Sequence, residues 1–248
     1  MEYWEYLILF LSVIGGGSLA FYVKKNNQSM LQSVLSFSGA YILGISVLHL
    51  MPTVFTGMVE NVGLWVLGGF FIQLVLEQFS GGVEHGHVHA PHHAKGQFAI
   101  QVMIGLCLHA FMEGMPLSGY GEIHEALTGH DHSHNHLLWG IILHKAPAAF
   151  ALVLLFNMSG FKKKLVVFCL FFFAMMSPLG AASTSFLDSH GWLDPYKMTI
   201  IMAIVVGSFL HIATTILFEV DSSKHHHISI PKMVAILLGL GMAVMTVH

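Results

Sequence analysis

The sequence predicts an all-α integral membrane protein with eight transmembrane helices. Of its 248 residues, 55% are hydrophobic and only 9% are charged, whereas an ordinary soluble domain carries about 25% charged residues. The mean hydropathy of +0.71 indicates that lipid, not water, contacts most of the surface. We therefore expect a single transmembrane domain over residues 1–248.

Eight apolar segments are each long enough to cross a bilayer, which takes about 20 mostly apolar residues. Stretches rich in Gly, Pro, Asn, His or charge separate them, as expected of connections. Cys107 and Cys169 fall inside two of the segments, so we expect reduced packing residues and not a disulfide. The segments lie at about residues 4–23, 31–51, 62–80, 97–118, 137–157, 164–187, 196–219 and 229–247.

The lysines orient the bundle, because cytoplasmic loops carry the basic excess. All ten basic residues are lysine, and the lack of arginine argues against a nucleic-acid partner. If the N-terminus lies outside, the outer side receives only Lys197, which predicts that both termini are outside. The inner side then receives Lys24, Lys25, Lys95, Lys162, Lys163, Lys164, Lys224 and Lys232.

Three ionisable residues within the fourth and fifth segments predict a metal site. His109 and Glu113 are four residues apart and therefore share one helical face, and His144 lies in the fifth segment. At about 1.5 Å per residue, His109 is about 14 Å and His144 about 10 Å from the outer end of its segment. The two antiparallel helices can bring them together. Imidazole and carboxylate suit a borderline cation such as Zn²⁺.

A proline follows each of these clusters, Pro116 after Glu113 and Pro147 after His144. Proline removes a backbone hydrogen bond from a helix, and membrane helices tolerate this beside a cavity or a neighbouring helix. Broken helices next to polar residues near the midplane are typical of transporter sites. The alternative to a metal site is that these histidines form only hydrogen bonds between or within helices.

Many of the other histidines lie in two loops, at residues 81–96 on the predicted inner side and 119–136 on the predicted outer side. Histidine-rich tracts are compositional hints of metal binding, although a solvated linker without a required role is an equal alternative. The candidate auxiliary ligands are His85, His87, His89, His92 and His93 inside and His130, His132 and His134 outside.

Two further histidines lie within segments where a metal could pass. His49 lies near the outer end of the second segment and is a candidate for the entrance, and His211 lies toward the inner third of the seventh. Either could instead be a packing histidine. Glu77, at an inner segment end, is interpreted as an interfacial residue solvated by water.

Membrane enzymes with two irons are a rival class. The strings His85-x-x-x-His89 and His89-x-x-His92-His93 match the histidine boxes of desaturases and hydroxylases. However, the two strings share His89, and the other dense histidine tract lies across the membrane. A zinc protease lacks its His-Glu-x-x-His motif here. We therefore expect a protein that is not an enzyme, with no cofactor.

Four stretches resemble the ZIP family of metal transporters. His109–Gly114 is similar to the fourth-helix signature His-Asn-x-x-(Asp/Glu)-Gly. His144–Ala149 is similar to the fifth-helix signature His-Glu-x-Pro-x-Glu and keeps its His and Pro. Leu35–Pro52 resembles the second helix with its His-Leu-x-Pro ending, and Ser208–Glu219 resembles the seventh. The resemblance implies eight helices in a 3+2+3 arrangement, with His109, Glu113 and His144 as the metal ligands.

The departures from these signatures alter the expected site. Ala110 stands where the family has Asn, and Lys145, Ala148 and Ala149 replace groups that let some members hold a second metal. A protonated lysine cannot bind a metal, so we expect one metal in the core site. Lys145 is expected to pair with Glu113 when no metal is bound.

The resemblance implies transport of a divalent metal toward the cytoplasm. Zn²⁺ is the first choice, and Fe²⁺, Mn²⁺ and Cd²⁺ use the same ligands. A transport-inactive metal sensor of the same fold is the alternative. The expected partners are the metal and the lipid bilayer, a homodimer is left open, and the expected location is a bacterial inner membrane.

Overall fold

The computed structural model describes residues 2–22, 28–57, 59–83, 96–119, 134–218 and 229–246. All regular secondary structure in these ranges is helical, and each predicted apolar segment corresponds to one helix. We label the helices in chain order: α1 Tyr3–Leu19, α2 Gln28–Ile45, α3 Val62–Ser80, α4 Gly96–Gly114, α5 His134–Met158, α6 Lys163–Ser189, α7 Pro195–Phe218 and α8 Ile230–Met245.

The second helix is longer than the sequence predicts. A π-helical turn at Ser46–Leu50 follows α2 directly, and a short α-helix at Met51–Thr56 continues the rod. Pro52 stands at the start of this short helix, where its missing N–H costs little. A π-turn adds a residue to the helical repeat and is often found at functional positions. His49 lies within this π-turn.

Six of the helical segments are long and apolar enough to cross a membrane, which confirms an integral membrane protein. The helices α1 and α8 have 17 and 16 residues, which corresponds to about 26 and 24 Å at the α-helical rise. A bilayer core is about 30 Å thick. The eight-span count, the 3+2+3 arrangement and the outer position of both termini therefore remain predictions.

Two glycines set one of the closest helix crossings. In α3 and α7, a Cβ at Gly69 would collide with the Ile204 carbonyl, and a Cβ at Gly207 would collide with the Val66 carbonyl. Small residues permit such close backbone approach in membrane bundles. The α3–α7 contact fixes which polar residues of the two helices face each other.

The helix α5 lies deepest in the bundle. In its most apolar stretch 72% of the residues are buried, against 28% for α3. It packs mainly on α1 and α2, while α4 packs mainly on α6 and α3. The contact between α4 and α5 is therefore made mainly by side chains and not by close approach of the two backbones. His144 and Lys145 of α5 are buried in this interior.

Candidate metal site

His109, Glu113 and His144 come together between α4 and α5. Each side chain is at most 2% exposed, and one possible ligand atom from each of the three residues lies within 4.8 Å of those of the other two. Across residues 2–22, 28–57, 59–83, 96–119, 134–218 and 229–246, this is the one group of at least three His, Cys, Asp or Glu side chains so arranged.

Helix geometry explains two of the three positions. His109 and Glu113 are one turn apart on α4, and His109 Nε2 lies 3.6 Å from Glu113 Oε2. His144 reaches them from α5, where its ring stands nearly perpendicular to that of His109, with the centroids 6.1 Å apart. Two imidazoles and one carboxylate in this spacing can close around a single cation with a modest contraction.

His109 contacts Gln73, which in turn is hydrogen bonded to Ser208. Neither residue was predicted from the sequence. His109 Nδ1 lies 3.1 Å from Oε1 of Gln73 on α3, and the Ser208 hydroxyl on α7 donates to the same oxygen at 3.0 Å. Gln73 is fully buried. The available signal was an amide in the middle of an apolar segment, where polar groups are costly unless they are bonded.

Lys145 places a cation against the same carboxylate. Its Nζ lies 3.4 Å from Glu113 Oε2, and both side chains are 1% exposed. The ammonium also lies 4.7 Å from the centre of the Phe173 ring on α6. An aromatic face and a carboxylate together offset part of the cost of burying a charge.

The expected break in α5 at Pro147 is wrong. The helix continues without interruption from His134 to Met158, with Pro147 inside it. Neighbouring helices can compensate for the bond that proline removes. In α4, by contrast, the α-helix does end beside the site. It stops at Gly114 and passes into a 3₁₀ turn at Met115–Ser118 that contains Pro116.

His211 and Glu77 form a separate pair between α7 and α3, outside this cluster. His211 Nε2 lies 2.5 Å from Glu77 Oε2, and the imidazole ring packs edge-on against Phe70. The Glu77 side chain is 18% exposed and is paired with His211, so water is not its only polar partner. The register of α3 against α7 brings the two together.

His49 also lies away from the cluster, in the π-turn. Its Nε2 lies 3.1 Å from the Thr246 hydroxyl beyond α8, and because that hydroxyl donates to the Ala243 carbonyl, it accepts here. The His49 ring stacks on His136 of α5 at 5.4 Å.

The auxiliary histidines fall outside the described residues. This holds for His85, His87, His89, His92, His93, His130 and His132. His134 opens α5, but its side chain also lies outside them. Metal binding by these histidines and the inner and outer positions of the two loops remain predictions.

The family model described as "ZIP Zinc transporter" matches residues 83–247 of this chain, a range that contains the α4–α5 site. The chain belongs to the ZIP zinc transporter family. The resemblance noted in the sequence is thereby confirmed, and membership of a family of transporters favours the prediction that the chain is not an enzyme.

Curated relatives agree with this family. The chain is 29% identical over 175 residues to zinc transporter ZIP9 of Micropogonias undulatus, covering 67% of this chain and 54% of that protein. It is 32% identical over 104 residues to zinc transporter SLC39A7 of Rattus norvegicus, covering 34% of this chain and 21% of that protein. The chain thus spans about half the length of the ZIP9 relatives and a smaller share of the SLC39A7 relatives. These relatives come from animals, so the bacterial inner membrane remains a prediction.

Proposed function

We propose that this chain moves Zn²⁺ across a membrane toward the cytoplasm through His109, Glu113 and His144, between α4 and α5. The observation that carries the proposal is the buried cluster of three ligand-type side chains inside a membrane bundle. Ionisable groups are costly within a bilayer, and they commonly mark ion pathways there. Fe²⁺, Mn²⁺ and Cd²⁺ could use the same ligands.

The ligand set fits an ion that must also leave. Structural zinc sites close with four protein ligands, whereas open sites use three. Transport requires binding strong enough to admit the ion and weak enough to release it. Three ligands from two helices can be separated when α4 and α5 move apart, which would open the site.

Lys145 adjusts the electrostatics of this site. With neutral imidazoles, Glu113 contributes −1 and Lys145 +1, so the metal-free site is close to neutral. An arriving divalent cation competes with the ammonium that now lies 3.4 Å from Glu113 Oε2. This competition lowers the affinity and assists release, and it leaves room for one metal in the core site.

The membrane potential provides the driving force. An inside-negative potential favours entry of a divalent cation by about 4.6 kcal/mol per 100 mV, twice the single-charge figure. His49 near one end of the bundle and His211 toward the other are proposed as pathway residues that affect the rate more than the affinity at the core. A homodimer and the histidine-rich loops as collectors of metal belong to the same proposal.

A transport-inactive metal sensor is the second candidate, and the buried Lys145 is the observation that favours it. A fixed ammonium beside the site would oppose the passage of a divalent cation. The two candidates share the same ligands but differ in flux, so a flux measurement separates them.

The test is Zn²⁺ entry into proteoliposomes that contain a zinc-sensitive dye. We expect wild-type flux, loss of flux in His109→Ala, and unchanged flux in His190→Ala, a matched change at an exposed histidine after α6. Binding without flux in the wild type would establish the sensor instead. Equal flux in His109→Ala and the wild type would exclude this site as the route.

A further inference from the structure

A chain of hydrogen bonds links three helices behind His109. Ser208 Oγ on α7 donates to Gln73 Oε1 on α3 at 3.0 Å, and the same oxygen lies 3.1 Å from His109 Nδ1 on α4. All three side chains are at most 2% exposed. We propose that Gln73, supported by Ser208, is a positioning residue that fixes the tautomer and orientation of His109 for metal binding.

The chemistry of the amide determines the proton on the imidazole. A neutral imidazole has one N–H donor and one lone pair, and an amide oxygen can only accept. Gln73 Oε1 accepts from Ser208, and it accepts from His109 only if Nδ1 carries the proton. The lone pair is then on Nε2, the nitrogen that lies toward Glu113. This is the nitrogen a metal in the cluster would meet.

The opposite orientation of the amide would disable the site. Rotating Gln73 by 180° would present its NH₂ to His109, which would then need its lone pair on Nδ1 and its proton on Nε2. That proton would face Glu113 Oε2 at 3.6 Å, beyond the usual N–H···O distance of about 2.7–3.2 Å. It would also occupy the position where the metal binds.

The helix packing explains why the contact is rigid. Gln73 lies one turn after Gly69, and Ser208 follows Gly207; these two glycines mark the close α3–α7 crossing. The short serine side chain reaches the amide only because the backbones are this near. Residues that orient a ligating histidine in this way commonly change metal affinity about 10- to 100-fold when they are mutated.

The experiment measures the concentration dependence of Zn²⁺ flux in proteoliposomes at pH 8, where histidine is mostly neutral. Gln73→Met removes the acceptor while keeping the length, and we expect it to raise the KM about 10- to 100-fold. Gln73→Glu keeps an oxygen acceptor and should restore the KM to within about threefold of wild type. Gln78→Met, an exposed position on the same helix, is the control and should leave the KM unchanged.

The supporting serine has its own matched control. Ser208→Ala should raise the KM about two- to tenfold, as expected for loss of one neutral hydrogen bond. Ser177→Ala removes another buried hydroxyl near the site, one that donates to the Ala110 carbonyl. It should leave the KM near wild type even if it lowers stability.

The outcomes separate this inference from the proposed function on which it rests. If His109→Ala transports as well as wild type, the proposed site fails. If His109→Ala is inactive but Gln73→Met keeps the wild-type KM, only the positioning role is overturned. Should Gln73→Met fail to fold, Gln73→Glu and Ser208→Ala decide. A Gln73→Glu protein that folds but has a KM raised 10-fold or more would also overturn the role.

Discussion

Two histidine–glutamate pairs lie in the described part of the bundle, one within α4 and one between α3 and α7. His109 Nε2 and Glu113 Oε2 are 3.6 Å apart, whereas His211 Nε2 and Glu77 Oε2 are 2.5 Å apart. Ligand atoms around one Zn²⁺, each at about 2.0–2.1 Å, are about 3.3 Å from one another in a tetrahedral site.

The difference in spacing corresponds to a difference in what each pair can hold. The α4 pair has the separation of two zinc ligands, and His144 adds a third donor. The α3–α7 pair is already at hydrogen-bond distance, so an ion could enter only after the two side chains separate. Residue type alone would not distinguish the pairs, whereas the distance and the third donor do.

The largest expected effect comes from removing a histidine from each region. His144→Ala deletes one of three ligands, so it should weaken Zn²⁺ binding by more than the roughly 100-fold upper value for residues that only support a ligand. His211→Ala should leave the affinity of the core site within a few-fold of wild type. Competition with a zinc chelator gives the Zn²⁺ affinity of each variant. Only the part of the binding that is absent in His109→Ala is assigned to the core site. Equal losses of Zn²⁺ affinity in the two variants would contradict the proposed difference between the two pairs.

The next effect concerns the carboxylates. Glu113→Gln leaves the buried Lys145 ammonium without its carboxylate partner, and breaking a buried ion pair in this way costs about 3–5 kcal/mol of unfolding free energy. Adding Lys145→Met should restore most of the stability but not the metal binding. Unfolding in mixed micelles titrated with SDS measures the first result. A double variant as unstable as the single one would show that Lys145 is not balanced by Glu113.

Glu77→Gln tests the second pair in the same assay. It weakens the contact to His211 and, unlike Glu113→Gln, leaves the carboxylate beside the buried Lys145 ammonium in place, so the loss of unfolding free energy should be about 1.5–3 kcal/mol, the range for a charge-assisted hydrogen bond. Glu113→Gln is therefore expected to lose clearly more unfolding free energy than Glu77→Gln. The reverse order would indicate that the α3–α7 pair is the more constrained site.

The smallest effect is expected at the exposed pair of Asp194 and Lys197. The Lys197 backbone N–H donates to Asp194 Oδ1 at 2.8 Å, and this bond, followed by the Lys197 side chain, lowers the pKa of the Asp194 carboxyl. A lowered folded-state pKa stabilises the protein above the unfolded pKa, near 4, and the benefit is lost as the pH falls through the folded value. Asp194→Asn should remove only this acid-dependent part, as thermal unfolding between pH 3 and 6 would show. A larger effect at pH 7 than that of Glu77→Gln would contradict the ranking.

The sequence predicted the parts of the site that depend on spacing along one helix. His109 and Glu113 share a face because they are four residues apart, and the depth of His144 in the next segment placed it opposite them. Gln73 and Ser208 were missed because an amide and a hydroxyl carry no charge to mark them. Their meeting depends on the glycine contacts between α3 and α7.

The remaining differences have similar causes. The pairing of Glu77 with His211 depends on the register of two helices that are far apart in the chain. The continuous α5 at Pro147 depends on neighbouring helices, which local propensity does not include. The π-turn that contains His49 likewise has no simple signature in the sequence.

Anomalous X-ray diffraction from crystals of the zinc-loaded protein, collected at the zinc edge, tests the central claim most directly. We expect one peak between α4 and α5, within about 2.0–2.2 Å of a nitrogen of His109, a nitrogen of His144 and a carboxylate oxygen of Glu113, with the Lys145 ammonium displaced from Glu113. A peak bound by Glu77 and His211, together with none between α4 and α5, would contradict the account.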